Sequence, residues 1–216
     1  RLWAMVDRPN VMIKVPGTTE GAIADRTLIG AGINVNITLL FAIEAHRRVI
    51  EAYLAGLEDR VAAGKPVSGL ASVASFFVSR VDTEIDKRLD AMAATRTGAD
   101  RERLLALRGK AAIANAQLAY KLFREMFSGA RWAALASAGA GLQRPLWAST
   151  SAKNPAYRDV LYVEQLIGPD TVDTMPPATI DAFRDHGEVR RTVDADLAAA
   201  TQTMTDLAAA GVDMTE

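Results

Sequence analysis

The chain contains no cysteine, which excludes disulfides and thiolate metal sites. Histidine is nearly as scarce: His46 and His186 are the two, and neither has a neighbour at metal-ligand spacing. No apolar stretch approaches the roughly 18 uninterrupted residues that a membrane helix needs. No signal-peptide pattern opens the chain, since Arg1-Leu2-Trp3-Ala4 starts directly in an element, so the cytoplasm is the default expectation. Neither sign of charge dominates: Lys and Arg total 25, Asp and Glu 26, for a net charge of -1. That balance argues against a nucleic-acid footprint spread over the surface and leaves room for a local phosphate site. The first strand-to-helix turn, Pro16-Gly17-Thr18-Thr19, carries neither G-x-G-x-x-G nor a Walker lysine, which lowers a dinucleotide or nucleotide-fold reading. The first residue is Arg, and only the end of a helix precedes the first strand; the expectation is a piece of something longer.

What is present is ordinary in composition and informative in order. Half of the 216 residues are hydrophobic and 24% are charged, as in a globular chain of one large domain or two small ones. Five apolar or alternating runs read as strands: Val11–Val15, Ile33–Leu40, Leu70–Val78, Pro145–Thr150 and Thr171–Met175. Between them lie helical periodicities. One runs from a Thr18 or Thr19 cap to Ile29, stopped by Gly30 and Gly32. A second carries Ile43, His46, Ile50, Tyr53 and Leu57 on one face, where His46 reads as a packed helix residue. Others cover Val81–Met92, a long stretch Leu104–Phe127, Trp132–Ala138, Tyr157–Ile167, Ala178–His186 and Asp194–Ala210. Repeated strand–helix alternation means an α/β fold with parallel strands and crossover helices, either an open doubly wound sheet or an eight-stranded barrel.

In a barrel the polar residues at strand C-terminal ends build the site. Here those are Lys14, Asn36, Thr38, Ser75 and Ser149. Lys14 lies within an apolar strand, sharing a face with Met12. Burial there would push its pKa below the ordinary value of about 10.4 and make it a nucleophile toward carbonyls through a Schiff base. The alternative is a strand-end lysine whose amine reaches solvent. Asn36 and Thr38 share one face of a strictly alternating strand, opposite Val35, Ile37 and Leu39. Neutral donors of this kind can hold sugar hydroxyls without adding charge beside an imine. Arg80 offers a planar fork for phosphate, or an ion-pair partner for Asp82 or Glu84; Lys153 offers a point charge. Glu20 and Asp25 read as helix-surface residues.

Four segments in order, I-K-V-P-G-T-T-E-G, G-I-N-V-N-I-T-L-L-F, A-S-F-F-V-S-R-V-D and L-W-A-S-T-S-A-K-N-P, resemble the transaldolase family. V-D-T-M-P-P is similar to the last barrel strand of its bacterial branch. The resemblance implies a (β/α)8 TIM barrel of which this chain supplies about strands 4 to 8, residues 1–216 forming one partial barrel domain with a helical insertion around 98–139. It implies a transferase of the pentose phosphate pathway, moving a dihydroxyacetone unit from sedoheptulose 7-phosphate to glyceraldehyde 3-phosphate and giving erythrose 4-phosphate and fructose 6-phosphate. Neither metal nor organic cofactor is implied. By resemblance Lys14 forms the imine, Asn36 holds the dihydroxyacetone hydroxyls and Thr38 orients the catalytic water. Ser75, Phe77, Arg80, Ser149, Ser151 and Lys153 are the substrate-binding residues, Arg80 and Ser149 on the phosphate. The acid/base aspartate and glutamate are expected on strands this chain lacks, along with a last helical segment. Two other readings stand beside this one: a class I aldolase acting on fructose 6-phosphate or deoxyribose phosphate, and a non-catalytic phosphosugar-binding fragment. Phosphorylated sugars are the expected partners, with no nucleic acid or membrane; monomer and homodimer both stay open.

Overall fold

Thr18 begins the first full helix as expected: its hydroxyl accepts the Gly21 N–H at 3.0 Å, and Gly32 ends it at φ 87°, a left-handed position that favours glycine. The structure is a computed structural model that describes residues 1–214. In chain order its helices and strands are α1 (Leu2–Val6), β1 (Ile13–Pro16), α2 (Thr19–Ala31), β2 (Val35–Leu40), α3 (Ile43–Ala62), β3 (Ser72–Phe77), α4 (Ser79–Ala93), α5 (Gly98–Ala106), α6 (Ala111–Met126), α7 (Gly129–Ser137), β4 (Gln143–Ala148), α8 (Leu161–Gln165), β5 (Val172–Asp173), α9 (Pro177–His186) and α10 (Leu197–Ala209). No helix among the described residues is long and apolar enough to cross a membrane.

The strands form one sheet in the order β1-β2-β3-β4-β5, an α/β arrangement with sequential neighbours. β1 and β2 pair in parallel, with Lys14 opposite Asn36 and Pro16 opposite Thr38. β2 and β3 are also parallel, with Asn36 opposite Val73 and Ile37 opposite Ala74. The next aligned pair is Leu40 with Phe76. Three steps on β2 therefore match two on β3, which is a bulge. The bulge overturns the expected alternation at Leu39. That residue sits at φ 62° and is 49% exposed, while Leu40 is buried in its stead.

By internal packing the chain divides into two units, residues 1–76 with 122–146, and 77–121 with 147 onward. In the first, Val35, Ile37 and Leu40 of β2 are buried with Ile29 of α2 and Val49, Ile50, Tyr53, Leu54 and Leu57 of α3, each worth about 1.5–3 kcal/mol on burial. Gly56 lets α3 approach α2: a Cβ there would lie 2.8 Å from the Arg26 carbonyl. In the second unit Trp147 is buried and donates Nε1–H to the Leu166 carbonyl at 3.0 Å.

Several element boundaries differ from expectation, four of them for an identifiable local reason. β1 starts at Ile13 because the Val11 N–H closes a turn onto the Arg8 carbonyl at 3.2 Å. The long helix is two helices, α5 and α6, parted where Gly109 takes φ 72°. β4 stops at Ala148 because Ser149 takes φ 60°. The helix expected from Tyr157 shrinks to α8, since the preceding residues are held in turns, with Tyr157 N–H on the Asn154 carbonyl and Leu161 N–H on that of Arg158.

Candidate active site

In a parallel pair, residues in register share a face, and adjacent strands lie about 4.8 Å apart. Lys14 is in register with Asn36, so the two side chains leave the sheet as neighbours. On the next strand Ser75 donates its hydroxyl to Asn36 Oδ1 at 2.7 Å. That bond uses the amide's acceptor and leaves its two Nδ2 hydrogens for a hydroxyl-bearing ligand. Thr38 follows Asn36 on the same strand, 5% exposed, with no partner for its Oγ1 among the described residues. The first unit thus gathers Lys14, Asn36, Thr38 and Ser75 on three adjoining strands. Lys14 itself is exposed, which matches the alternative of a solvent-reaching lysine and not that of a buried amine: β1 stands first in the strand order and pairs with β2.

The second unit holds Phe77, Arg80, Ser149, Ser151 and Lys153. Arg80, in the first turn of α4, lies with its guanidinium 5.0 Å from the centroid of the Phe77 ring, a cation–π distance. It is not the ion-pair partner of Asp82 or Glu84. Asp82 is buried and accepts from the Ala112 N–H and the Tyr162 hydroxyl, and Glu84 pairs with Arg88 at 3.0 Å. Ser149 is tied to the start of α4 twice: its carbonyl accepts the Ser79 N–H at 3.0 Å, and the two hydroxyls meet at 2.9 Å. Thr150 donates to Asp173 at 2.8 Å, whose carboxyl burial raises to about 6. Lys153 Nζ donates to Ser151 Oγ at 2.7 Å, so these two form one small polar patch.

His46 is packed within its helix face as expected, whereas three buried aspartates escaped the sequence reading. Asp25, expected on a helix surface, is 0% exposed. Neither of its oxygens has a hydrogen-bond partner among the described residues, and burial pushes its carboxyl up to about 7, with the nearby Gln143 side chain acting in the opposite direction. His46 is wholly buried against Phe76, ring centroids 5.7 Å apart; desolvation lowers it to about 4. Asp82 and Asp86, a D-x-x-x-D spacing on α4, are both buried, and burial raises Asp82 to about 6. The spacing was legible as one helix face; nothing local said that the face was internal. Among the described residues no group of three or more His, Cys, Asp or Glu is placed to hold a metal ion.

Comparison with known sequences follows the same line. The family described as Transaldolase/Fructose-6-phosphate aldolase matches residues 1–216. "Transaldolase 1" of Streptomyces coelicolor is 58% identical over 186 residues, 86% of this chain and 47% of that protein. "Transaldolase" of Thermobifida fusca is 56% identical over 188 residues, 87% of this chain and 49% of the other. "Transaldolase" of Mycolicibacterium smegmatis is 52% identical over 214 residues, 99% of this chain and 56% of the other. The chain therefore spans about half the length of the curated relatives it matches.

Proposed function

This chain belongs to the transaldolase/fructose-6-phosphate aldolase family, and from that premise we propose that it carries the Schiff-base and phosphate-recognition residues of a transaldolase. The observation that carries the reading is the in-register pair Lys14 and Asn36, with Ser75 bonded to the asparagine. The Lys14 amine adds to the ketone carbon of a ketose phosphate and water leaves, giving a protonated imine. The carbon–carbon bond one position further then breaks, its electron pair flowing into the imine to form an enamine, while the hydroxyl on the departing fragment gives up its proton and becomes an aldehyde. The enamine attacks the aldehyde carbon of the acceptor, and water releases the new ketose and regenerates the amine. Asn36 Nδ2 and Ser75 hold the hydroxyls of the three-carbon unit, and Thr38 presents the water. Arg80, Ser149, Ser151 and Lys153 recognise phosphate, Arg80 by its planar fork.

The substrates under this reading are sedoheptulose 7-phosphate and glyceraldehyde 3-phosphate, the compartment is the cytoplasm, and no metal or organic cofactor takes part. The carboxylates that follow β1 do not supply the proton transfer under this reading: Glu20 is exposed on the first turn of α2, and Asp25 is enclosed with no hydrogen-bond partner among the described residues. The exposure of Lys14 favours a second reading, a phosphosugar-binding stretch without turnover.

Borohydride reduction in the presence of fructose 6-phosphate separates the two. A covalent adduct on Lys14, absent in Lys14→Ala, supports the Schiff base; binding with no adduct, or an adduct on another lysine, overturns it. Adding erythrose 4-phosphate to the adduct-forming protein then distinguishes transfer from simple cleavage.

A further inference from the structure

Asp82 and Asp86 lie one turn apart on α4, and each spends its two oxygens in the same way. Asp82 accepts the Ala112 N–H at 2.7 Å and the Tyr162 hydroxyl at 2.8 Å. Asp86 accepts the Gly109 N–H at 3.0 Å and the Tyr157 hydroxyl at 2.5 Å. The backbone donors belong to the segment that opens α6, so one oxygen of each carboxylate serves the helix start. The tyrosines are a separate matter. Tyr162 is on α8, but Tyr157 lies within the irregular segment, residues 149–160, that joins β4 to α8.

That segment is held at two points by the same helix. Ser79, the first residue of α4, grips Ser149 through backbone and hydroxyl; Asp86, two turns on, grips Tyr157. Ser151 and Lys153 lie between the two anchors, and Arg80 is the residue beside Ser79. Gly109 is part of the arrangement: a Cβ on it would lie 2.8 to 3.0 Å from ring and hydroxyl atoms of Tyr157, so the glycine admits the ring as well as taking φ 72°. A charge-assisted bond from a phenol to a buried carboxylate is among the stronger kinds. Such a pin fixes the geometry of the residues between the anchors, at an entropy cost met when the chain folds and not when the ligand binds.

We propose that Asp86 and Tyr157 are positioning residues for phosphate recognition, pinning the 149–157 segment to α4 so that Ser151 and Lys153 are held in a fixed relation to Arg80. The inference rests on the phosphate roles proposed above. Asp82 and Tyr162, which bond in the same way without touching the segment, are the built-in control.

The experiment measures the affinity of the full chain for fructose 6-phosphate and for fructose, alongside borohydride trapping of dihydroxyacetone on Lys14, which needs no phosphate. Tyr157→Phe and Asp86→Asn are expected to weaken fructose 6-phosphate binding about tenfold, the equivalent of one charge-assisted hydrogen bond, while fructose binding and trapping stay near wild type. Tyr162→Phe is expected to lower the unfolding midpoint and leave phosphate-dependent affinity unchanged. Tyr157→Phe deletes one atom and serves where Asp86→Asn fails to fold. Unchanged fructose 6-phosphate affinity in Tyr157→Phe overturns the inference alone, as does an equal loss in Tyr162→Phe. A wild-type chain that binds fructose 6-phosphate no better than fructose overturns the phosphate assignment and the inference with it.

Discussion

Asp25→Asn should remove a pH dependence of stability that the wild-type chain carries. The carboxyl is fully buried with no hydrogen-bond partner among the described residues, and burial takes it from 3.8 to about 7. That rise of about 3 pH units corresponds to on the order of 4 kcal/mol at 1.36 kcal/mol per unit. The sign follows from proton linkage. A carboxyl with a raised folded pKa binds its proton more tightly in the folded chain, so its contribution is complete below the unfolded value and is lost as pH rises through about 7. Between pH 5 and pH 8 the wild type should lose about 2.5 kcal/mol on this account, and Asp25→Asn should not. Asp82 and Asp173, both raised by burial, are present in both proteins, so the difference between the two curves isolates Asp25. Urea unfolding followed by tryptophan fluorescence at a series of pH values measures it. Parallel curves for the two proteins from pH 5 to pH 8 would refute the reasoning and mean that the charge is satisfied in place.

His46→Leu should act at the acid end and in the opposite sense. Desolvation lowers this imidazole to about 4, so the unfolded chain takes up the proton first and stability falls as pH drops from about 6.5 to about 4, by about 3 kcal/mol in all; an acid-unfolding midpoint unmoved by the substitution would count against it. Leu39→Asn should be neutral or stabilising by up to about 1 kcal/mol. A left-handed backbone costs a branched residue roughly 1–2 kcal/mol and an asparagine less, and the side chain at φ 62° is half exposed. A loss above about 1 kcal/mol in a denaturant titration would show that Leu39 contributes packing that outweighs backbone strain.

Strand–helix order, the Thr18 cap and the Gly32 stop depend on neighbours a few residues apart, and all were legible in the chain. So was the set of polar residues at strand ends, because alternation within a strand is itself local. What the residues could not declare was which of them meet. Ser75 reaches Asn36 across 39 positions, and the Asp86–Tyr157 pair closes across 71; both distances are set by crossover helices. The bulge at Leu39 belongs to the pairing of β2 with β3, so the period of two in β2 gave no warning of it. Burial is likewise a property of the assembled layers. Asp25 and Glu20 look alike on a helix, yet one is enclosed and the other is in water. Local chemistry wrote the elements and offered the side chains; long-range packing chose the neighbours, and with them which charges are sheltered.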